Sequence, residues 1–307
     1  VKVSVSITAY AHERYIAQSI ESVLQQRTAF DFELIVGEDC SGDRTREIVL
    51  DYQRRYPERI RTVLPEANLG GGGKRLFAET LRLCRGQYIA MMDGDDYWTS
   101  PEKLRIQADF LDAHPECSMC YHDAENVYED GLDGPPTTRS AGAKPFAGMA
   151  EVLERCFIPA CSPMFRREVV AELPPWYHEV PWGDWPLYVL AAQRGLIGYL
   201  DAVLGAYRIH RGGVWSRLAE AEKMEGVLAF YRHAAPLLGR RYARAIRHRS
   251  GRCNYRLAWL YSQEGETAKA RSCAWKAIRQ LPLRRHHPYG HLLRMLLRPS
   301  WLPAKAS

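Results

Sequence analysis

Four short apolar runs separated by amphipathic stretches dominate the first ninety residues, and the last run empties into a cluster of carboxylates. The runs VSVSIT (3–8), FELIV (32–36), 60–64 and YIAMM (88–92) are of strand type, short and rich in β-branched or large apolar residues. Between them, 13–26 carries Ile16, Ile20, Val23 and Leu24 at helical spacing, 45–56 is helical up to Pro57, and 76–84 is helical up to Gly86. Strands alternating with helices predict βαβ units, hence an α/β fold with a mainly parallel central sheet flanked by helices. Further on, 103–114 reads as a helix, 118–121 as a strand, and 129–148, rich in Gly, Pro and Thr, as a surface loop. Helices are expected at 151–156 and at 187–194, closed by Gly195, with an extended segment at 202–207. From 219 onward the pattern is almost wholly helical, so the reading divides the chain into a domain at 1–216 and a helical C-terminal region at 217–307.

Charge supports the same division. The net +6 conceals a C-terminal segment, 205–307, with 21 Lys plus Arg against 5 Asp plus Glu, or +16, so the rest carries −10. A basic end beside an acidic body points to two surfaces with different partners. At 46% hydrophobic and 25% charged residues, the composition excludes wholesale disorder. No apolar run approaches the ~20 residues that span a bilayer. The opening residues read as a strand rather than as a cleavable leader. Eight scattered cysteines fit reduced thiols better than a disulfide framework. Cys117 and Cys120, with Cys156 and Cys161, are a poor zinc set, because strand neighbours three apart face opposite ways.

Asp93, Asp95 and Asp96 follow the 88–92 strand directly, at the carboxyl edge where open α/β sheets bind ligands. Gly94 allows close backbone approach. Crowded carboxylates of this kind suit a hard divalent cation, Mn2+ or Mg2+, which in turn would hold a diphosphate. The competing reading is a polar turn with Asp93 as a cap. The glycine run NLGGGGKR fails as a phosphate loop, since Asn68 and Arg75 stand where Gly and Ser or Thr are needed. As a mobile loop it still offers Lys74 and Arg75 to phosphate, or is a plain surface turn.

Taken in order and spacing, VSVSITAYAHERYIAQSIESVLQQ, FELIVGEDCSGDRT, NLGGGGKR, GQYIAMMDGDDYW, GDWPLYVLAAQRG and YRIHRGGVWS resemble a family 2 glycosyltransferase of the glycosyltransferase A fold over about 1–216. The resemblance implies that Thr8, Tyr10 and Asp39 bind the donor's base and ribose, with Glu13 a further contact. Ala9 and Ala11 depart from the family's usual Pro and Asn. It implies that Asp93 meets the ribose, that Asp95 and His210 serve the metal, and that Arg75 lies near the donor. Asp184 matches the catalytic base, with Gly183 in place of a first acid. A base there must take the proton of an acceptor hydroxyl as it attacks the anomeric carbon. The alternative for Asp184 is an N-cap of the following helix. Trp182 and Trp185 are expected to stack on the acceptor sugar, although a buried ring is the ordinary fate of any one Trp.

The expected function is therefore that of an inverting, metal-dependent glycosyltransferase using a nucleotide-sugar donor, a UDP-sugar first. Its expected acceptor is a saccharide or lipid-linked hydroxyl in surface polysaccharide or glycolipid assembly. In the tail, Leu257, Ala258, Tyr261, Gly265, Ala270, Ala277 and Pro282 follow the offsets of one tetratricopeptide repeat at about 252–282, a candidate homodimer contact. The basic amphipathic end, 284–307, is a candidate peripheral contact with anionic lipid on a cytoplasmic protein. No nucleic-acid reading motif accompanies the positive charge. Rival readings are a sugar nucleotidyltransferase and a non-catalytic interaction protein with a degenerate transferase domain.

Overall fold

A computed structural model describes all residues except 138–143, 181, 282–289, 291–295 and 297–307. The chain forms two compact units, Val1–Ser216 and Arg217–Ser307. The first begins β1 (Val3–Ala9), α1 (Ile16–Leu24), β2 (Phe32–Glu38), α2 (Thr45–Arg55), β3 (Ile60–Val63), α3 (Lys74–Leu83) and β4 (Tyr88–Asp93). It continues with β5 (Tyr97–Trp98), α4 (Lys103–Ala113), β6 (Cys117–Tyr128), β7 (Phe146–Ala147), α5 (Met149–Glu154), β8 (Met164–Arg166), α6 (Arg167–Val170), α7 (Asp184–Arg194) and β9 (Leu196–Ile209).

One sheet runs in the order β3-β2-β1-β4-β8-β6-β9-β5, with β7 on β9. Strands β3, β2, β1 and β4 are mutually parallel, as are β6 and β9, while β8 is antiparallel to both β4 and β6. This is the expected α/β architecture, a mainly parallel sheet flanked by helices. Val3, Val5 and Ile7 of β1 are fully buried, as are Leu34 and Val36 of β2 and Ile16, Ile20 and Val23 of α1. Burial of β1 from both faces explains its near-continuous apolar character.

Four elements differ from the sequence-based expectation. β6 and β9 run well past 118–121 and 202–207 because they pair along their whole lengths, with bulges near His122 and Asp123. Their later residues, such as Asp123, Glu125 and Asn126, lack the alternation that marks a strand. α7 starts at Asp184 rather than at 187, since Pro186 falls in the first turn, where its missing N–H costs nothing. The expected loop 129–148 contains β7, whose pairing partner lies some fifty residues away.

In the second unit, α8 (Glu220–Gln263) breaks at Gly239, whose φ of 67° is left-handed. It turns at Gly265, φ 78°, into α9 (Thr267–Gln280). Leu257, Ala258, Tyr261, Ala270, Ala274 and Ala277 are buried together in this helix pair. Among the described residues no helix is long and apolar enough to cross a membrane.

Lys103 is fully buried at the start of α4, its ammonium 3.8 Å from the centre of the Trp98 ring and without a hydrogen-bond partner. Burial lowers its pKa to about 7. The unfolded chain keeps this proton up to pH ~10.4, so between about 7 and 10 it binds more protons than the native state, and stability rises with pH. Lys103→Met is expected to stabilise the fold by about 1–3 kcal/mol at pH 6.5 and to flatten that rise. Urea unfolding at pH 6.5 and 9.5 checks both; a loss at pH 6.5 would mean the ring–cation contact outweighs the desolvation cost.

Candidate functional site

The site is built at the point where β1 and β4 end side by side. Their parallel register pairs Thr8 with Asp93, Thr8 Oγ1 donates to Asp93 Oδ1 at 3.1 Å, and Gly94 N donates to Thr8 O at 2.8 Å. A Cβ on Gly94 would lie 2.9 Å from Ala9 Cβ and 3.0 Å from His12 Nδ1, so a glycine is required there. The Asp93–Asp96 turn is closed by Asp96 N donating to Asp93 O at 3.1 Å, and Ser19 Oγ of α1 reaches the carbonyls of Gly94 (3.0 Å) and Asp96.

Arg208 of β9 holds the same turn from the other side. Its backbone N–H donates to Asp96 Oδ1 at 2.8 Å, and its Nη1 donates to the Asp95 carbonyl. Nη2 donates to Gln18 Oε1 at 2.7 Å, Nε pairs with Glu129 Oε1 at 2.8 Å, and the guanidinium lies between the rings of Tyr15 and Tyr97. Asp96 is 1% exposed and accepts the Arg208 N–H, so its side chain serves the turn rather than a ligand.

Asp95 carries the site's polar focus. His210 Nε2 lies 3.0 Å and His12 Nε2 3.8 Å from the same oxygen, Oδ2. Burial and the Asp95 charge raise the pKa of Asp93, while Asp95 stays low: burial opposes ionisation there, but the His210 hydrogen bond and the nearby His12 outweigh it. A carboxylate and an imidazole meeting at 3.0 Å, beside a second carboxylate that ionises reluctantly, form a donor set that fits a divalent cation. Among the described residues, no three such side chains are already gathered around one point.

Asp184 opens α7 one place inside the cap position, which Gly183 takes, so the N-cap reading does not describe it. Its Oδ1 accepts the Trp185 N–H at 2.8 Å, and Cys156 Sγ lies 3.9 Å from Oδ2. Burial raises its pKa, and its charge in turn acts on Asp93 across the cleft. Gly183 stands where an acid was expected, and there is little space for one: an added Cβ would meet Tyr177 Oη at 3.1 Å and Lys74 Cγ at 3.2 Å.

The remaining predicted residues separate. Asp39 is buried next to β2, and its Oδ1 accepts the Leu69 N–H at 2.8 Å, which ties it to the glycine loop. Tyr10 is 53% exposed at the end of β1. Arg75 is exposed, with Nη1 on the Leu69 carbonyl at 3.3 Å. Glu13 has a structural partner, accepting the Arg44 N–H at 3.0 Å ahead of α2. Lys74 is not available to phosphate: it is buried, with Nζ on the carbonyls of His178 (3.3 Å) and Val180, where it anchors the approach to Asp184. Trp185 also departs from expectation. It is 4% exposed and donates Nε1–H to Val152 O at 2.8 Å, so its ring packs inside and supports Trp182, which stacks on it at 6.2 Å. Trp215, 43% exposed, meets Trp182 edge-on at 5.3 Å.

The residues missed from sequence are Arg208 and His12, and Lys74 takes a role other than the one its sequence suggests; each acts on a partner far along the chain. Arg208→Met is expected to cost about 3–5 kcal/mol, by leaving Glu129 and the Asp96 turn without their cation, and Arg208→Lys to recover only part. Chemical denaturation of the three proteins tests this; a Lys variant equal to wild type would sink the forked role.

Comparison with known proteins finds related sequences and structures of similar fold. An uncharacterized protein of Mycobacterium tuberculosis, Rv1520, is 35% identical over 219 residues, covering 69% of this chain and 60% of that protein. An uncharacterized glycosyltransferase of Nostoc, alr2836, is 30% identical over 68% of this chain and 65% of its own length. The chain thus spans less than two thirds of either relative. The putative teichuronic acid biosynthesis glycosyltransferase TuaG of Bacillus subtilis is 26% identical over 72% of this chain and 84% of its own. Among solved structures, residues 1–349 of Staphylococcus aureus TarS in complex with UDP-GlcNAc superpose with a TM-score of 0.62 at 19% identity, over 92% of this chain and 82% of that one. The Pyrobaculum calidifontis mannosyltransferase PcManGT, in complex with GDP-Man and Mn2+, gives 0.61 at 16%, over 95% and 78%. At such identities the two structures speak for the fold alone. Residues 4–173, more than half of the sequence, match the Glycosyl transferase family 2 pattern, and the chain belongs to that family.

Proposed function

We propose that this protein is an inverting glycosyltransferase that moves a sugar from a UDP-sugar to a hydroxyl of a saccharide or lipid-linked acceptor in surface polysaccharide or glycolipid assembly. The observation that carries the reading is the convergence of Asp93, Asp95 and His210 on one sheet edge, within electrostatic reach of Asp184. Similarity to TuaG, whose name refers to teichuronic acid biosynthesis, supports a polysaccharide setting. The TarS complex with UDP-GlcNAc supports a uridine donor.

In this reading Thr8, Tyr10 and Asp39 bind the base and ribose, Asp93 meets the ribose, and Arg75 steadies the phosphates. Asp95 and His210 would hold a divalent cation, Mn2+ or Mg2+, which offsets charge on the departing diphosphate. Asp184 takes the proton as the acceptor oxygen bonds to the anomeric carbon. The bond from that carbon to the diphosphate breaks on the opposite face, so configuration inverts and the nucleoside diphosphate leaves. Trp182 and Trp215 offer rings for the acceptor sugar.

Asp184→Asn is expected to keep donor binding and lower kcat by about 10²–10⁴. Because burial raises Asp184, the acid limb of kcat in the wild type should lie above the ordinary Asp range, with activity lost as pH falls through it. A pH–rate profile with product stereochemistry by NMR tests both, and retention of configuration would reject the direct displacement. Donor binding is checked separately by thermal shift. A shift with UDP or one UDP-sugar that needs Mn2+ and vanishes in Asp95→Ala is expected, and no shift with any nucleotide would favour a non-catalytic role.

For the tail, the α8–α9 pair is read as a tetratricopeptide-like repeat that offers a homodimer surface. The end at 284–307, read as a contact with anionic lipid on the inner face of the membrane, lies outside the described residues apart from Gly290 and Leu296. Liposome flotation of the full chain against R284E/R285E/R294E/R298E is expected to show binding lost in the variant. Equal flotation would reject the lipid contact.

A further inference from the structure

His12 takes no part in the site as the sequence reading drew it, yet its ring is aimed at the centre of that site. It lies between β1 and α1, with both backbone polar groups committed. Its N–H donates to Thr45 Oγ1 at 2.9 Å, and its carbonyl accepts the N–H groups of Tyr15 and Ile16 at 2.9 Å. Those bonds fix the backbone from which the ring projects. The side chain is 17% exposed, and its Nδ1 is buried against Gly94 without a hydrogen-bond partner. Nε2 points to Asp95 Oδ2 from 3.8 Å, too far for a hydrogen bond. Nδ1 is thus buried without a protein partner, while Nε2, the nitrogen that faces Asp95, makes no hydrogen bond to protein and stays open to a ligand.

The spacing indicates which ligand. Two atoms bound ~2.1 Å from a common ion sit about 3.0–3.5 Å apart. His210 Nε2 and Asp95 Oδ2 are already 3.0 Å apart, and His12 Nε2 is only a few tenths of an ångström beyond that range from the same oxygen. The two rings approach one carboxylate oxygen from different elements, α1's leading turn and the end of β9.

We propose that His12 is a third protein ligand of the divalent cation, making the donor set one carboxylate and two imidazoles, and that this set selects a transition-metal ion such as Mn2+ over Mg2+. The inference rests on the reading above that Asp95 and His210 hold the cation. Imidazole nitrogen favours first-row transition metals, whereas Mg2+ prefers oxygen ligands and its own water. A site with Asp95 and one imidazole would discriminate less.

The test uses the full chain with UDP and Mn2+. Electron spin-echo envelope modulation of bound Mn2+ is expected to show two imidazole nitrogens in the wild type and one in His12→Gln. Isothermal titration should show Mn2+ affinity falling about tenfold or more in that variant, with Mg2+ affinity within about threefold of wild type. One imidazole in the wild type, removed by His210→Gln, would overturn the role of His12 while leaving the cation reading intact. No Mn2+ binding to the wild type, or no imidazole coupling at all, would overturn both. The wild-type spectrum alone separates these outcomes, so the test does not depend on the variants folding.

Discussion

A turn that gathers three carboxylates at the end of a buried strand is unstable unless something holds it, and here a single arginine from the far end of the sheet does much of that work. Arg208 uses its own backbone N–H on Asp96 and its guanidinium on the Asp95 carbonyl, Gln18 and Glu129, between two tyrosine rings. Charge-assisted bonds in a dry setting are strong, and the forked guanidinium serves several acceptors at once. The arrangement requires β9 to pair antiparallel with β5, Tyr97 opposite Ala206, which brings residue 208 beside the 93–96 turn, while its pairing with β6 brings Glu129 within reach.

The opposite wall is held in a comparable way. Lys74 leaves the glycine loop and anchors the carbonyls of His178 and Val180, just before the turn that presents Asp184. The glycines have positive φ from Gly70 to Gly73, so the loop can bend into α3 and aim that lysine inward. Gly183 completes the fit, as neighbouring Tyr177 and Lys74 crowd the space a side chain would take. Lys74, which reads as a phosphate contact, is in this chain a brace for the segment ahead of Asp184.

Much of the first unit was legible in sequence because its elements are governed by local pattern. Burial on both faces makes β1 and β2 continuous apolar runs, and α1 and α2 show one apolar stripe each. The carboxylate cluster was visible for the same reason, being contiguous with β4. The ordered blocks of the family pointed to further residues across the chain, Asp39, Asp184 and His210, which spacing alone does not connect. What was illegible was pairing over long separations. Nothing near Lys74 or Trp185 states that one is buried on carbonyls a hundred residues away and the other packed beneath Trp182.

The sequence by itself determined the α/β alternation, the mainly parallel sheet, the carboxylates at its edge and the contrast between an acidic body and a basic helical end. These depend on periodicity, β-branching and charge counts, which are properties of neighbouring residues. Only the tertiary structure decided which side chains face the ligand and which hold the frame. Arg208 and Lys74 became braces, Trp185 went inside, and His12 turned towards Asp95, because those outcomes depend on register, burial and distance between segments that meet only when the sheet is assembled.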